Sequence, residues 1–157
     1  VIYDLSLLDI DPYSFSISLA DPKSVSLGGF TSTAVKASVK LLYEDYKLCQ
    51  FTSEAFYDEG VVKNVMVQKA AGVPYFKIVD PYVAGYPIYF GMDPNMTTIN
   101  DFGTQDTGVQ HSTLGMMLIV YYESEVVDNV LKFTVEVRVT AGFFEGTYLE
   151  TLTFPVD

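Results

Sequence analysis

The sequence contains no tryptophan, one cysteine and one histidine among its 157 residues. The single cysteine, Cys49, excludes an intrachain disulfide, and one cysteine with one histidine cannot supply the four ligands of a closed zinc site. A serine or cysteine nucleophile would depend on His111 alone, and no Gly-x-Ser-x-Gly motif accompanies it. We therefore expect no metal, no cofactor and no enzymatic activity.

Basic residues are also few, at 9 Lys and Arg against 20 Asp and Glu, for a formal net charge of −11. A field of this sign repels phosphate backbones and anionic lipid, which argues against nucleic-acid and membrane-surface binding. The longest apolar run, Gly115 to Tyr122, is far shorter than the roughly 20 residues of a transmembrane helix. The sequence opens on "VIYDLS", so we expect a processed form that lacks any signal segment or lipid-anchor cysteine.

Apolar residues, by contrast, are plentiful at 49%, and they alternate with polar ones. In "LKFTVEVRVT" the odd-numbered residues are apolar and the even-numbered ones are polar, as in a half-buried strand. This pattern predicts that Lys132, Glu136 and Arg138 are exposed. It predicts burial of the other face, which comprises Leu131, Phe133, Val135, Val137 and Val139.

Further alternating or apolar segments, separated by turn residues, predict additional strands. They comprise 13–19, 35–43, 61–69, 75–79, 88–92, 114–123 and 148–154. Gly115 to Tyr122 is apolar on both faces and is predicted to be a central strand. Ser53 to Asp58 is the best candidate for one helical turn. About eight or more short strands favour an all-β fold, an antiparallel β-sandwich forming one domain over residues 1–157.

The loop "DPYVAGYP" is the best candidate for a binding surface. Pro81 and Pro87 bracket it, and Gly85 permits a tight turn. The loop and the strand after it would hold Tyr82, Tyr86 and Tyr89 close together. Exposed aromatic rings can stack on sugar faces, so these tyrosines are the candidate residues for glycan binding. The interpretation that the sequence favours over this one is that they pack at the rim of the scaffold.

Two other chemistries are weaker alternatives. Loop carboxylates at Asp80, Asp93, Asp101 and Asp106 invite a glycosidase interpretation, since such enzymes need a carboxylate pair. "DPNMTTINDFGT" has the odd-numbered oxygen donors of an EF-hand calcium loop. It carries threonine at positions six and twelve, where that loop needs glycine and glutamate. We therefore interpret "DPN" as a turn.

The order of motifs over about residues 46–156 resembles a domain of uncharacterised surface lipoproteins from Bacteroides-type gut anaerobes. A Phe-Thr pair precedes a Val-rich strand, a Pro-Tyr-Phe-Lys-Ile strand ending in Pro-Tyr, an Asp-Pro turn and a Gln-x-Thr-Gly turn. The matching residues are Phe51, Thr52, Val65, Val67, Pro74 to Tyr82, Asp93, Pro94, Gln105, Thr107 and Gly108. Here "LCQF" stands where that domain has a glycine-rich opening, and the first 45 residues match nothing in it.

The resemblance implies an exported, non-catalytic domain at the outer membrane or cell surface. Its partner would be a glycan or a protein ligand, and it would meet the membrane only through a lipid anchor absent from this sequence. The alternative is a structural or adhesin-type domain that contacts protein partners.

Overall fold

The computed structural model describes residues 13–18, 34–39 and 41–156. Strands β1 (Tyr13–Ser18) and β2 (Ala34–Val39) pair antiparallel as a two-stranded sheet, with Tyr13 opposite Val39. The sequence also predicts that alternate side chains of residues 13–19 and 35–39 share one buried face. The burial of these side chains lies outside what the structure describes.

All other described strands belong to one ten-stranded sheet in which every paired neighbour is antiparallel. They are β3 (Tyr43–Ser53), β4 (Lys63–Ala70), β5 (Tyr75–Ile78), β6 (Ile88–Met92), β7 (Ile99–Asp101), β8 (Thr104–His111), β9 (Gly115–Val127), β10 (Val130–Val139), β11 (Gly142–Phe143) and β12 (Tyr148–Thr153). Their order is β7-β6-β5-β4-β3-β12-β10-β9-β8, with β11 paired to β10. The described residues contain no helix, so the all-β prediction is confirmed.

The connection from β7 to β8 determines the shape of this sheet. These two strands lie at opposite ends of the strand order, yet only Phe102 and Gly103 separate them in the chain. From Asp101 to Thr104 there are three Cα–Cα steps of about 3.8 Å, so the link spans at most about 11 Å. The sheet must therefore curl until its ends approach each other, and it forms a half-barrel.

Hydrogen bonds join the two ends where they meet. The backbone N–H of Val126 donates to the carbonyl of Thr97 at 3.0 Å, and the N–H of Ile99 donates to Oγ of Ser124 at 2.8 Å. The Tyr121 hydroxyl donates to the carbonyl of Ile99 at 3.1 Å. The predicted sandwich of two sheets is not confirmed, because one curled sheet encloses the core with its own concave face.

Strand β10 shows the pattern that fills this core. The five predicted residues from Leu131 to Val139 are all buried, at 8% exposure or less. On the other face Arg138 is exposed, whereas Lys132 and Glu136 are only half-buried. The alternation therefore predicted the inward face correctly, and burial of those side chains contributes to the hydrophobic stabilisation of the fold.

Three segments differ from the sequence prediction. The segment 35–43 is not one strand, because β2 ends at Val39 and β3 begins at Tyr43. Gly115 to Tyr122 was predicted to be a central strand with two apolar faces, but it lies in β9, next to the end strand β8. Ile119 is the only residue of this segment that is fully buried. "TQDTG", predicted to be a turn, lies within β8, where a bulge between Asp106 and Gln110 accommodates the turn-forming residues.

Candidate functional site

Tyr82 does not stand exposed beside the other two candidate tyrosines. Only 8% of it is exposed, and its ring centroid lies 4.7 Å from that of Phe56 and 5.7 Å from that of Phe51. The loop turns inward at Pro81, which is itself buried. The prediction that Tyr82 offers a surface ring for a ligand is wrong, because its aromatic neighbours hold it in the core.

The turn that follows β3 holds this corner in place. The N–H of Tyr57 donates to the carbonyl of Ser53 at 3.2 Å, and the N–H of Phe56 donates to the Ser53 hydroxyl oxygen at 3.1 Å. Ser53 therefore caps a single hydrogen-bonded turn, and the helical turn predicted for Ser53 to Asp58 is not a helix in the structure. The Tyr57 hydroxyl donates to the carbonyl of Pro81, and the ammonium of Lys63 lies 4.7 Å above the Tyr57 ring.

Glu150 is the one carboxyl group in the described core, and it has no exposed surface. Its Oε1 accepts a hydrogen bond from the Ser53 hydroxyl at 2.8 Å. The Tyr82 hydroxyl lies beside the same carboxyl, but neither it nor Oε2 completes a hydrogen bond of normal geometry. Burial raises the pKa of Glu150 to about 8, while the Ser53 and Tyr82 hydroxyls oppose that rise.

A carboxyl with a raised pKa is a common feature of catalytic acids, which also need access to a substrate. Glu150 has no such access in this conformation, because its exposure is 0%. The hydroxyl of Tyr82 is shielded in the same way, and burial raises its pKa well above the ordinary value. The arrangement accordingly acts as a neutral, buried polar contact between β12 and the 79–87 loop.

Tyr86 and Tyr89 do share a surface, which we call the tyrosine surface. They line a shallow depression of about 350 Å³ together with Gly85, Pro87, Gln105 and Asp106. Both tyrosines are half-buried. The Tyr86 ring lies against Gly108, where no side chain intervenes, and the Tyr89 ring packs edge-on against Tyr43 at 5.7 Å.

Gln105 positions Tyr89 through its side-chain amide. The amide oxygen accepts a hydrogen bond from the N–H of Tyr89 at 2.6 Å, and the amide nitrogen donates to the carbonyl of Tyr89 at 2.5 Å. The same nitrogen also donates to the carbonyl of Phe102 at 2.8 Å. A side chain thereby replaces a strand ladder between β6 and β8, a role that no sequence motif indicated.

The candidate loop residues Asp93 and His111 both organise their own turns. Asp93 accepts hydrogen bonds from the backbone N–H groups of Asn95, Thr97 and Thr98 and from the Thr97 hydroxyl. These bonds, led by that from Thr98, lower its pKa, and its oxygens serve a turn, as the "DPN" prediction indicated. The Nδ1 atom of His111 accepts from the N–H groups of Thr113 and Leu114.

A mostly apolar hollow lies elsewhere, at one end of the half-barrel, and we call it the end pocket. It has a volume of about 430 Å³. Its floor comprises Phe76, Phe90, Met92 and Leu131, each 4% exposed or less. The rings of Phe76 and Phe90 stack at 5.3 Å between centroids, which makes the floor rigid and aromatic.

The rim of the end pocket is formed by residues that the fold leaves at the surface. Tyr46 and Met96 are 45% and 39% exposed, and Asp128 and Asn129 come from the turn between β9 and β10. Tyr46 occupies a bulge in β3, between Asp45 and Lys47. The bulge brings its ring to 5.9 Å from that of Phe76. Sequence reasoning missed this site, because its lining comes from strands far apart in the chain.

Within the described residues, no group of three or more His, Cys, Asp or Glu side chains is arranged to hold a metal ion. None of the described segments is a helix of the length and hydrophobicity needed to cross a membrane. Comparison with known proteins gives no match, whether to a family model, to a curated protein or to a solved structure. The resemblance to surface lipoproteins stays a prediction.

Proposed function

We propose that this domain is a non-catalytic binding module of an exported cell-surface protein, and that its ligand occupies the end pocket. The observation that carries the proposal is the pocket itself, which combines a buried apolar floor with a partly polar rim. Ligand sites in proteins are typically concave and mostly apolar, often lie at the mouths of curled sheets, and have volumes of about 300–1,000 Å³. The export and surface location come from the sequence resemblance alone.

The absence of catalysis is part of the same proposal. Three side chains that the sequence analysis weighed as catalytic or metal-binding candidates have structural roles instead, which supports a non-catalytic function. His111 and Asp93 accept hydrogen bonds within their turns. Cys49 is buried, and burial raises the pKa of its thiol to about 11, which disfavours the reactive thiolate.

The first experiment uses N-phenyl-1-naphthylamine, a neutral apolar probe whose fluorescence rises in a dry site. We expect saturable binding to the folded protein and at least fivefold weaker binding to Tyr46→Ala, because Tyr46 walls the pocket. Tyr122→Ala is the matched control, since Tyr122 is also an exposed strand tyrosine, at 67% exposure, and does not line the pocket. Equal binding by the two variants would contradict the proposal.

Circular dichroism and urea unfolding of each variant show whether the fold is retained. A folded protein that binds no probe would favour the alternative, a structural or adhesin-type domain that contacts protein partners.

A glycan ligand at the tyrosine surface is the second candidate. It is favoured because Tyr86 and Tyr89 line one depression with two polar side chains, Gln105 and Asp106. A screen of neutral and acidic glycans against the wild type and Tyr86→Ala tests it, again with Tyr122→Ala as control. We expect neutral glycans to bind better than uronic or sulfated ones, because the protein carries a net charge of −11. A glycan that binds Tyr86→Ala as well as wild type would rule out this surface.

A further inference from the structure

The end pocket has three charged side chains at or near it: Lys47 and Asp128 line it, and Lys69 lies beside it. Lys69, on β4, lies beside the pocket with its ammonium 5.6 Å from the ring centroid of Phe76 and 5.5 Å from that of Tyr46. Both rings line the pocket. Asp128 contributes the negative charge of the rim, from the turn between β9 and β10.

A second hollow extends the pocket toward Lys69. It has a volume of about 390 Å³ and is lined by Lys69, Gly72, Val73, Pro74, Pro94 and Met96. Met96 also lines the end pocket, so the two hollows are neighbours that share this residue. A ligand whose apolar body fills the end pocket would reach Lys69 across Met96.

The Lys69 ammonium is held by aromatic rings and not by a carboxylate. Glu44 lies opposite Lys69 in the strand pairing, yet the ion pairs of the described residues include none to Lys69. A lysine above aromatic faces keeps its positive charge at modest cost, because the ring quadrupoles stabilise it. Its ammonium carries three N–H donors, which can bind an anion in the hollow that Lys69 lines.

From this arrangement we propose that the end pocket binds an apolar molecule that carries a single carboxylate, oriented with its carboxylate at Lys69. This inference rests on the proposed function, because it assigns a ligand class to the same pocket. Lys69 attracts the carboxylate and Asp128 repels it, and Lys47 in the lining adds a further positive charge, so the pocket favours a carboxylate over a cation. The apolar floor of Phe76, Phe90 and Leu131 contributes the affinity.

The test compares three ten-carbon competitors for displacement of N-phenyl-1-naphthylamine: decanoate, 1-decanol and decyltrimethylammonium. All are used below the concentrations at which they form micelles. We expect wild type to prefer decanoate over 1-decanol by about tenfold and to bind the cation most weakly. About 0.5 M salt should reduce the preference, because it screens a partly exposed ion pair.

Lys69→Gln should abolish the preference for decanoate while leaving 1-decanol binding unchanged. Lys132→Gln is the matched control, because Lys132 is another strand lysine with a 43% exposed side chain, outside this pocket. Equal displacement by decanoate and 1-decanol in wild type, or an intact preference in Lys69→Gln, would overturn the inference and leave the proposed function standing. Failure of the neutral probe to bind would overturn both.

Discussion

The hydroxyl of Ser53 and the carboxyl of Glu150 form a hydrogen bond of 2.8 Å inside the apolar core, joining β3 to its neighbour β12. The two residues lie opposite each other in the strand pairing. Removal of the carboxyl from water raises the pKa of Glu150 to about 8, from its ordinary value of 4.5. The group is therefore mostly neutral at pH 7, which avoids the large cost of a buried charge.

This relationship predicts that stability falls as pH rises. Between pH 4.5 and about 8 the folded protein binds the Glu150 proton more tightly than the unfolded chain does. The stabilisation is full below pH 4.5 and is lost as pH rises through about 8. We expect the free energy of unfolding in urea to decrease by roughly 1 kcal/mol per pH unit across this window.

Glu150→Gln should flatten that dependence, because a glutamine amide keeps an acceptor for Ser53 and does not titrate. Glu123→Gln is the control, since Glu123 is an exposed glutamate on β9, outside this contact. A wild-type slope that persists in Glu150→Gln would show that another group is responsible.

The contact between Gly108 and Tyr86 predicts a steric effect. A Cβ atom at Gly108 would lie 2.7 Å from Cγ and 2.9 Å from Cε2 of Tyr86. Gly146 has a similar positive φ, +92° against +73°, but its Cβ would meet nothing within 4 Å. Alanine at either position destabilises the folded protein by about 1 kcal/mol, because a side chain strains a backbone with positive φ. We expect Gly108→Ala to cost roughly 1–3 kcal/mol more than Gly146→Ala in urea unfolding, because the ring must move.

The hydrogen bonds of the Gln105 amide predict that this side chain stabilises the contact between β6 and β8. Gln105→Ala removes three hydrogen bonds, two to Tyr89 and one to Phe102. We expect a loss of about 2–4 kcal/mol, since buried backbone groups lose their partners. Hydrogen exchange at the Tyr89 amide should accelerate more than exchange in β3. The more exposed Gln110 on the same strand provides the control, and equal effects of Gln110→Ala would contradict this role.

The burial of Cys49 predicts that its thiol reacts slowly in the folded protein. It is 1% exposed, and burial raises the pKa of its thiol to about 11. A disulfide reagent at pH 8 should therefore react slowly with the native protein and rapidly after addition of denaturant. Because the chain has one cysteine, the labelling rate reports opening of the core at a single position. Complete labelling within minutes in native buffer would contradict the burial of β3.

The alternation in β10 was predictable because the two faces of that strand meet different environments over its whole length. Five apolar residues at a spacing of two identify the buried face without further information. The curl of the sheet is a different matter, since it follows from the two-residue link between β7 and β8. That link constrains the shape only when the strand order is known, and local pattern does not encode strand order.

The candidate tyrosines also show that local sequence pattern does not determine which way a side chain points. Sequence grouping placed Tyr82 with Tyr86 and Tyr89, yet its ring turns toward Phe51 and Phe56. A loop tyrosine followed by Val-Ala-Gly gives no signal of its direction. The end pocket was missed for a related reason, because β3, β5, β6 and β10 each contribute one or two ordinary apolar residues to its lining.

The position of β12 has a consequence for when the fold can form. β12 lies between β3 and β10, so on this side of the half-barrel it joins the β3–β7 meander to the β8–β10 meander. Thr52 on β3 cannot form its hydrogen bond until Thr151, 99 residues later in the chain, has been synthesised. During synthesis on the ribosome, both meanders emerge before that partner does. A nascent chain halted before Tyr148 therefore presents two unpaired strand edges, each shaped to receive the same missing strand.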